Sequence, residues 1–189
     1  MTATMPGITQ RFSPHCDDRP DDEAVSLLVV HNISLPAGEF APVPQHSFVD
    51  ALFMGTLDCS AHASFASLAG VRVSAHCVIW RDGSIFQYVP FAKRAWHAGV
   101  SRFAGRERCN DFSIGIELEG TDNLPYTDQQ YHSLISLTQF IMQQYPAITP
   151  QRIVGHCDIA PGRKTDPGTA FDWMRYRNDI KSAIKEFST

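Results

Sequence analysis

No apolar run in these 189 residues approaches the roughly 20 that a membrane-spanning helix needs, so no membrane partner is expected. Residues 1–20 carry His15, Asp17 and Asp18 but no apolar h-region. No signal peptide is read there, and a soluble cytoplasmic protein is expected. Basic charge is not in excess either. The net charge of -4 argues against a nucleic-acid partner. Cys16, Cys59, Cys77, Cys109 and Cys157 are odd in number and contain no CxxC pair, which points to a reducing compartment rather than a disulfide framework. Repeats and low-complexity tracts are missing as well.

What is present suits an ordinary globular core. Hydrophobic residues make up 43% of the chain. The length suggests one domain, residues 1–189, against a prior of roughly 150 residues per domain, and a monomer. Residues 1–24 are polar and proline-bearing, with an acidic group at Asp17, Asp18, Asp21, Asp22 and Glu23, so an extended surface arm is expected there.

Hydrophobic periodicity divides the remainder. Leu27 to Ile33 reads as a buried strand with Leu27, Val29 and His31 on one face. Phe48, Ala51 and Leu52 have helical spacing, and Thr56 to Gly70 reads as a loop. Val73 to Trp80 and Ser84 to Val89 are strands, joined through Arg81-Asp82-Gly83, a strong hairpin signal. Phe112 to Leu118 alternates as a half-buried strand. Ile114, Ile116 and Leu118 face the core; Ser113, Gly115, Glu117 and Glu119 face away, and Gly115 leaves that face open to a cleft. Thr127 and Gln130 fit a capping box opening a helix striped by Tyr131, Leu134, Ile135, Thr138, Ile141, Met142 and Tyr145 and ended by Pro146. Arg152 to Val154 is another strand. Asp172 to Phe187 is a terminal helix with Ile180, Ala183, Ile184 and Phe187 spaced for packing. The order implies α/β (α+β) architecture, a mixed central β-sheet flanked by helices.

Two histidines end short β-branched runs: His31 and His156. Asp166 follows His156 closely enough for a loop to fold back, and Lys164 sits beside it. Two imidazoles and one carboxylate suit a catalytic zinc that keeps a fourth position for water. Their wide spacing makes the motif weak by itself, since such a histidine is also commonly a core residue bonded to backbone. His76 and Asp158 are rival ligands on these grounds. A hydrolytic zinc also needs a proton carrier and an oxyanion stabiliser, roles that Glu117 and Lys164 could fill. Arg102, Arg106, Arg108, Arg163 and Lys164 cluster enough to hold an anionic small substrate.

Six ordered stretches carry a resemblance: Val29-Val30-His31-Asn32-Ile33-Ser34, Ser74-Ala75-His76-Cys77-Val78-Ile79, Arg94-Ala95-Trp96-His97-Ala98-Gly99, Asn110 through Gly120, Gly155-His156-Cys157-Asp158-Ile159-Ala160-Pro161, and Arg163-Lys164-Thr165-Asp166-Pro167-Gly168. In order, they resemble the type-2 zinc N-acetylmuramoyl-L-alanine amidases, which share their fold with peptidoglycan-recognition proteins and phage T7 lysozyme. The resemblance covers roughly residues 12–180 and is strongest to the cytoplasmic branch acting on 1,6-anhydro-muropeptides.

The resemblance implies one Zn2+ per chain held by His31, His156 and Asp166, with His76 a non-ligand. It implies Glu117 as catalytic acid/base and Lys164 as stabiliser of the tetrahedral intermediate. Phage and animal relatives commonly carry cysteine at the Asp166 position, and a tyrosine near the site where this chain relies on Glu117. The implied reaction is hydrolysis of the amide joining the lactyl group of 1,6-anhydro-N-acetylmuramic acid to L-Ala, in murein recycling. Asn32, Arg72 and Arg108 are the candidate substrate contacts, with Trp96 and His97 as sugar-ring or wall contacts. Competing readings are a non-catalytic peptidoglycan-recognition module, disfavoured because every ligand position is filled, and a lytic amidase acting on intact murein.

Overall fold

Six strands form one mixed sheet in the order β1-β5-β4-β9-β3-β10. In chain order these are β1 (Thr9–Gln10), β3 (Leu27–Ile33), β4 (Cys77–Ile79), β5 (Ile85–Gln87), β9 (Ser113–Glu119) and β10 (Ile153–Gly155). Within this sheet, β4 and β5 are the one antiparallel pair among the described residues. Two small ribbons lie outside this sheet: β2 (Cys16–Asp18) with β6 (Lys93–Ala95), and β7 (Arg102–Phe103) with β8 (Arg106–Glu107). The computed structural model describes residues 5–20 and 23–186, with side chains described as far as residue 182. Asp21 and Asp22, and the packing expected of Ala183, Ile184 and Phe187, therefore lie outside the described residues.

The helices are α1 (Phe48–Phe53), α2 (Asp128–Gln144), the one-turn α3 (His156–Ile159) and α4 (Trp173–Glu186). Short 3-10 turns add to them, one at Ala63–Leu68 inside the expected loop. One sheet face, with Leu28, Val30, Ile114, Ile116 and Leu118, packs against Tyr131, Leu134, Leu137 and Ile141 of α2 and Tyr176 and Ile180 of α4. The opposite face divides. Val49, Leu52 and Phe53 of α1 cover Val78 and Phe86, while Leu27 and Val29 pack with Ala98, Cys109, Phe112, Val154 and Ile159. No helix among the described residues is long and apolar enough to cross a membrane.

Several expectations need correction. The 113–119 strand is not half-buried: all seven residues are buried, because β9 lies between β4 and β3 and both faces are covered. The strands around the hairpin are shorter than their apolar runs: Ser74 N–H already bonds outside the sheet, to Trp96 O, while His76 N–H still reaches Gly115 O of β9. The turn is as expected, with Trp80 N–H donating to Ser84 O and Gly83 N–H to Trp80 O. The N-terminal segment is more than a surface arm. β1 extends the sheet edge beside β5, and β2 pairs with β6. Arg19 pins it by donating to the carbonyls of Asn110, Asp111, Phe91 and Ser113. Leu137, outside the expected α2 stripe, is fully buried.

The capping box of α2 is present as expected. Thr127 Oγ1 accepts from Gln130 N–H at 3.1 Å and Gln130 Oε1 accepts from Thr127 N–H at 3.1 Å. Thr127 Oγ1 also donates to Arg81 O at 2.8 Å, tying the helix start to the hairpin. Thr127→Ala should therefore lower the unfolding free energy by about 1–2 kcal/mol in urea titrations, with an unchanged m-value.

Candidate metal centre

Parallel register assembles the site. Gly155 lies opposite Val30 in the β10–β3 pair, so the chain delivers His156, the next residue, level with His31. His31 in turn lies opposite Glu117 in the β3–β9 pair. Three chemistry-bearing side chains thus stand in a row at the carboxyl ends of adjacent parallel strands, where open α/β sheets place their ligands. His156 itself begins α3, immediately after β10.

Asp166 arrives on the loop after α3. Cys157 N–H donates to Asp166 O at 3.0 Å. Asp122 clamps the same loop: its Oδ1 accepts from Asn32 Nδ2 at 2.8 Å, its Oδ2 from Thr165 Oγ1 at 2.5 Å, and its carbonyl from Ala170 N–H at 2.9 Å. The approach is so close that a Cβ on Gly168 would stand 2.1 Å from Asp122 Cα. Asn32 Nδ2 also donates to Pro167 O at 3.1 Å.

The result is a tight triangle. His31 Nδ1, His156 Nδ1 and Asp166 Oδ2 are 2.9, 3.1 and 3.0 Å apart. Among the described residues this is the one histidine, cysteine and carboxylate group with metal-ligand spacing. The protons around it decide what it fits. His156 Nε2–H donates to Ala98 O at 3.1 Å, leaving Nδ1 a lone pair. His31 Nε2 lies 2.8 Å from His97 Nδ1, on the side of the ring away from Asp166. Burial pushes His31 down to about 4, so its ring is neutral near pH 7. Nitrogen and carboxylate atoms packed this closely could hold a cation between them, and two imidazoles with one carboxylate are a donor set that zinc takes.

Glu117 lies beside the triangle, 8% exposed, and its Oε2 is buried without a hydrogen-bond partner. Burial, and then repulsion from Asp166, push its carboxyl well above the ordinary range, with Lys164 acting in opposition. Lys164 is exposed and lines a polar cavity of about 560 Å³ together with Asn32, Asp122 and Asp166. A group with an elevated pKa and a free lone pair can accept and return a proton, and an ammonium beside it can stabilise negative charge.

The other sequence candidates are dispersed. Arg108 has a largely exposed side chain, pairs with Asp111 at 3.2 Å, and lines a second cavity of about 480 Å³ with Arg102 and Arg163. Arg163 is spent on Ala98 O and Val100 O at 2.6 and 2.7 Å, and Arg106 pairs with Glu23. The Arg72 guanidinium lies 5.8 Å from the Trp96 ring, whose Nε1 donates to Asp17 Oδ1 at 3.1 Å. Neither Arg72 nor Trp96 lines the cavity beside Asp166.

His97 is half-buried beside β9. Its ring lies against Gly115, where an added Cβ would be 2.4 Å from His97 Cγ. The open face expected at Gly115 is therefore filled by this ring, not by a cleft. The rivals are accounted for too. Asp158 Oδ2 accepts from Gly155 N–H at 2.7 Å, capping α3. His76 Nδ1 accepts from Gly115 N–H at 3.0 Å and its Nε2–H donates to Lys93 O at 3.1 Å. Sequence reasoning missed Asp122, Asn110 and Ser113. Asn110 and Ser113 lay inside a quoted stretch, but nothing local signals their partners.

Residues 21–169 match the family model described as N-acetylmuramoyl-L-alanine amidase. The chain is 66% identical over 165 residues to the 1,6-anhydro-N-acetylmuramyl-L-alanine amidase AmpD of Salmonella typhimurium (strain SL1344), covering 87% of this chain and 86% of that protein. A crystal structure of a Se-Met AmpD derivative superposes with a TM-score of 0.89 at 60% identity, covering 95% of this chain and 98% of that one. The amidase AmiD from E. coli, in complex with the substrate anhydro-N-acetylmuramic acid-L-Ala-D-gamma-Glu-L-Lys, superposes with a TM-score of 0.60 at 29% identity, covering 85% of this chain and 60% of that one.

Burial holds His76 down to about 3, so between pH 6.5 and 3 the unfolded chain binds a proton there that the folded chain refuses. Stability should fall as pH drops through that window. His76→Gln should make the slope of unfolding free energy against pH shallower by about 1.4 kcal/mol per unit, measured by urea denaturation at pH 6.5, 5.5 and 4.5. An identical slope in both proteins would contradict this.

Proposed function

Because the chain belongs to the N-acetylmuramoyl-L-alanine amidase family and is an amidase, we propose that it cleaves the amide between the lactyl group of 1,6-anhydro-N-acetylmuramic acid and L-Ala of the stem peptide. The reading places it in cytoplasmic murein recycling, as a single-domain monomer with one Zn2+ held by His31, His156 and Asp166. The observation that carries it is the acceptor triangle beside the unpartnered Glu117 Oε2. A recognition module needs neither a metal-shaped triangle nor a proton carrier. The names of its AmpD relatives support the anhydro-muropeptide as substrate class.

Zinc, when bound, supplies Lewis acidity, polarising a carbonyl and acidifying water. The protein's own groups do the remainder. Glu117 Oε2 takes a proton from the attacking water and returns it to the L-Ala nitrogen as the amide bond breaks. Its elevated proton affinity suits both transfers, since a carboxyl of ordinary pKa is a weaker base toward water. Lys164 faces the same cavity and stabilises the negative charge that gathers on the carbonyl oxygen. Asn32 lines that cavity while holding the Asp166 loop. Arg108 and Arg72, with Trp96, are the outlying contacts for the carboxylates and sugar of the substrate.

Glu117→Ala should retain stoichiometric zinc by metal analysis while kcat falls by about 10²–10⁴-fold, and near-normal turnover would remove Glu117 from its role. Soluble anhydro-muropeptides should be cleaved much faster than intact murein sacculi; comparable rates on both would overturn the recycling assignment in favour of a lytic amidase.

A further inference from the structure

His31 has two ring nitrogens, and only one tautomer leaves Nδ1 free to face His156 and Asp166. Its Nε2 meets no backbone carbonyl or carboxylate, the usual devices for fixing a ligand histidine. It meets His97 Nδ1 at 2.8 Å, ring against ring, with planes 88° apart. Two neutral imidazoles in contact leave the direction of the proton open, and the next contacts decide it. Ser113 Oγ lies 2.5 Å from Cys109 O. A carbonyl oxygen accepts only, so the Ser113 hydroxyl donates there. Ser113 Oγ then accepts from His97 Nε2–H at 3.1 Å. His97 Nδ1 is left as a lone pair, which His31 satisfies only as the Nε2–H tautomer; the other tautomer would turn Nδ1–H to Asp166 Oδ2 at 3.1 Å and leave two lone pairs facing each other at 2.8 Å.

We propose that Ser113 and His97 form a hydrogen-bond relay, anchored on the Cys109 carbonyl, that locks His31 in the Nε2–H tautomer and so presents Nδ1 to the metal. His97 and Ser113 are positioning residues, acting through His31. The backbone around them is prepared for this role. His97 N–H and Ala98 N–H both donate to Asn110 Oδ1, at 3.1 and 2.8 Å. Glycine at position 115 lets the ring lie on the strand. The same short segment also fixes the other histidine, since Ala98 O takes the proton of His156 Nε2. One segment therefore sets both tautomers.

The relay rests on the zinc reading for its purpose but not for its detection. In metal-free protein labelled with 15N-histidine, long-range 1H–15N correlation should show His31 as a single Nε2–H tautomer. An Nδ1–H or mixed His31 would overturn the relay whether or not zinc binds. If His31 has the expected tautomer but no zinc binds, the metal reading fails and the relay stands. Substitution at position 97 separates orientation from packing. His97→Asn keeps an acceptor near the Nδ1 position, and His97→Leu fills the space without one. Zinc dissociation constants from chelator competition should rise about 10–100-fold in His97→Leu and Ser113→Ala, and within about threefold of wild type in His97→Asn. Equal losses in His97→Leu and His97→Asn, or no loss in either, would reduce the contact to packing. Should a position-97 variant fail to fold, the wild-type spectrum still decides.

Discussion

Parallel register between β10, β3 and β9 is the constraint on which the molecule depends. It sets His156, His31 and Glu117 level across three strands, although they are separated by 39 to 125 residues of chain. A one-residue slip of β3 would turn His31 onto the face covered by α2 and α4 and turn Leu28 and Val30 onto the opposite face. That slip is resisted by the apolar core itself, since Leu28, Val30, Ile114 and Ile116 are fully buried against those helices. Three acceptor atoms within 3.1 Å repel one another when nothing lies between them. The strand register that sets the two histidines level is held by a core that would have to come apart for it to shift.

Around that row, orientation is delegated to groups without net charge. Ala98 O and the His97 ring receive the outward protons of the two histidines. Asn110 fixes the segment carrying both. Two charged groups act a step further out: Asp122 on Asn32, Thr165 and Ala170, and Arg163 on Ala98 O at 2.6 Å, rather than on the triangle itself. Clamping the loop on both sides of Asp166 fixes the carboxylate without placing a second negative charge in contact with it.

The strands and α2 were legible because period-two and 3.6-residue patterns are local, and the Thr127–Gln130 capping box was legible for the same reason. His31 and His156 could be picked out as strand-end histidines, and Glu117 from its place on the face opposite Ile116. What the pattern could not give was what covers that face. Gly115 looked like an opening because a missing side chain reads as space, whereas a ring 18 residues earlier in the chain fills it. His97 looked like a surface contact because it sits in a loop rich in charge. Its partners His31 and Ser113 come from two different strands, and no spacing encodes that meeting. The first 24 residues read as a polar arm because β1 and β2 are only two and three residues long, too short for any periodicity to register.

Neutral outer partners also have an electrostatic consequence. Carboxylates behind the histidines would add negative charge to a site that already holds Asp166 and Glu117. They would raise the proton affinity of Glu117 further and weaken the pull on an incoming carbonyl. With a carbonyl and an imidazole in those positions, the nearby charges are Asp166, Glu117, Lys164, the Arg163 guanidinium on Ala98 O, and the proposed dication. Two neutral imidazoles and one carboxylate leave that ion with a net positive charge. In the proposed reading, Lys164 adds to it from the cavity side, and Glu117, whose carboxyl burial pushes up, is the proton carrier. On that reading, positive potential would be concentrated where the amide oxygen gains charge, while Glu117, 8% exposed, lies on the buried side, away from bulk water.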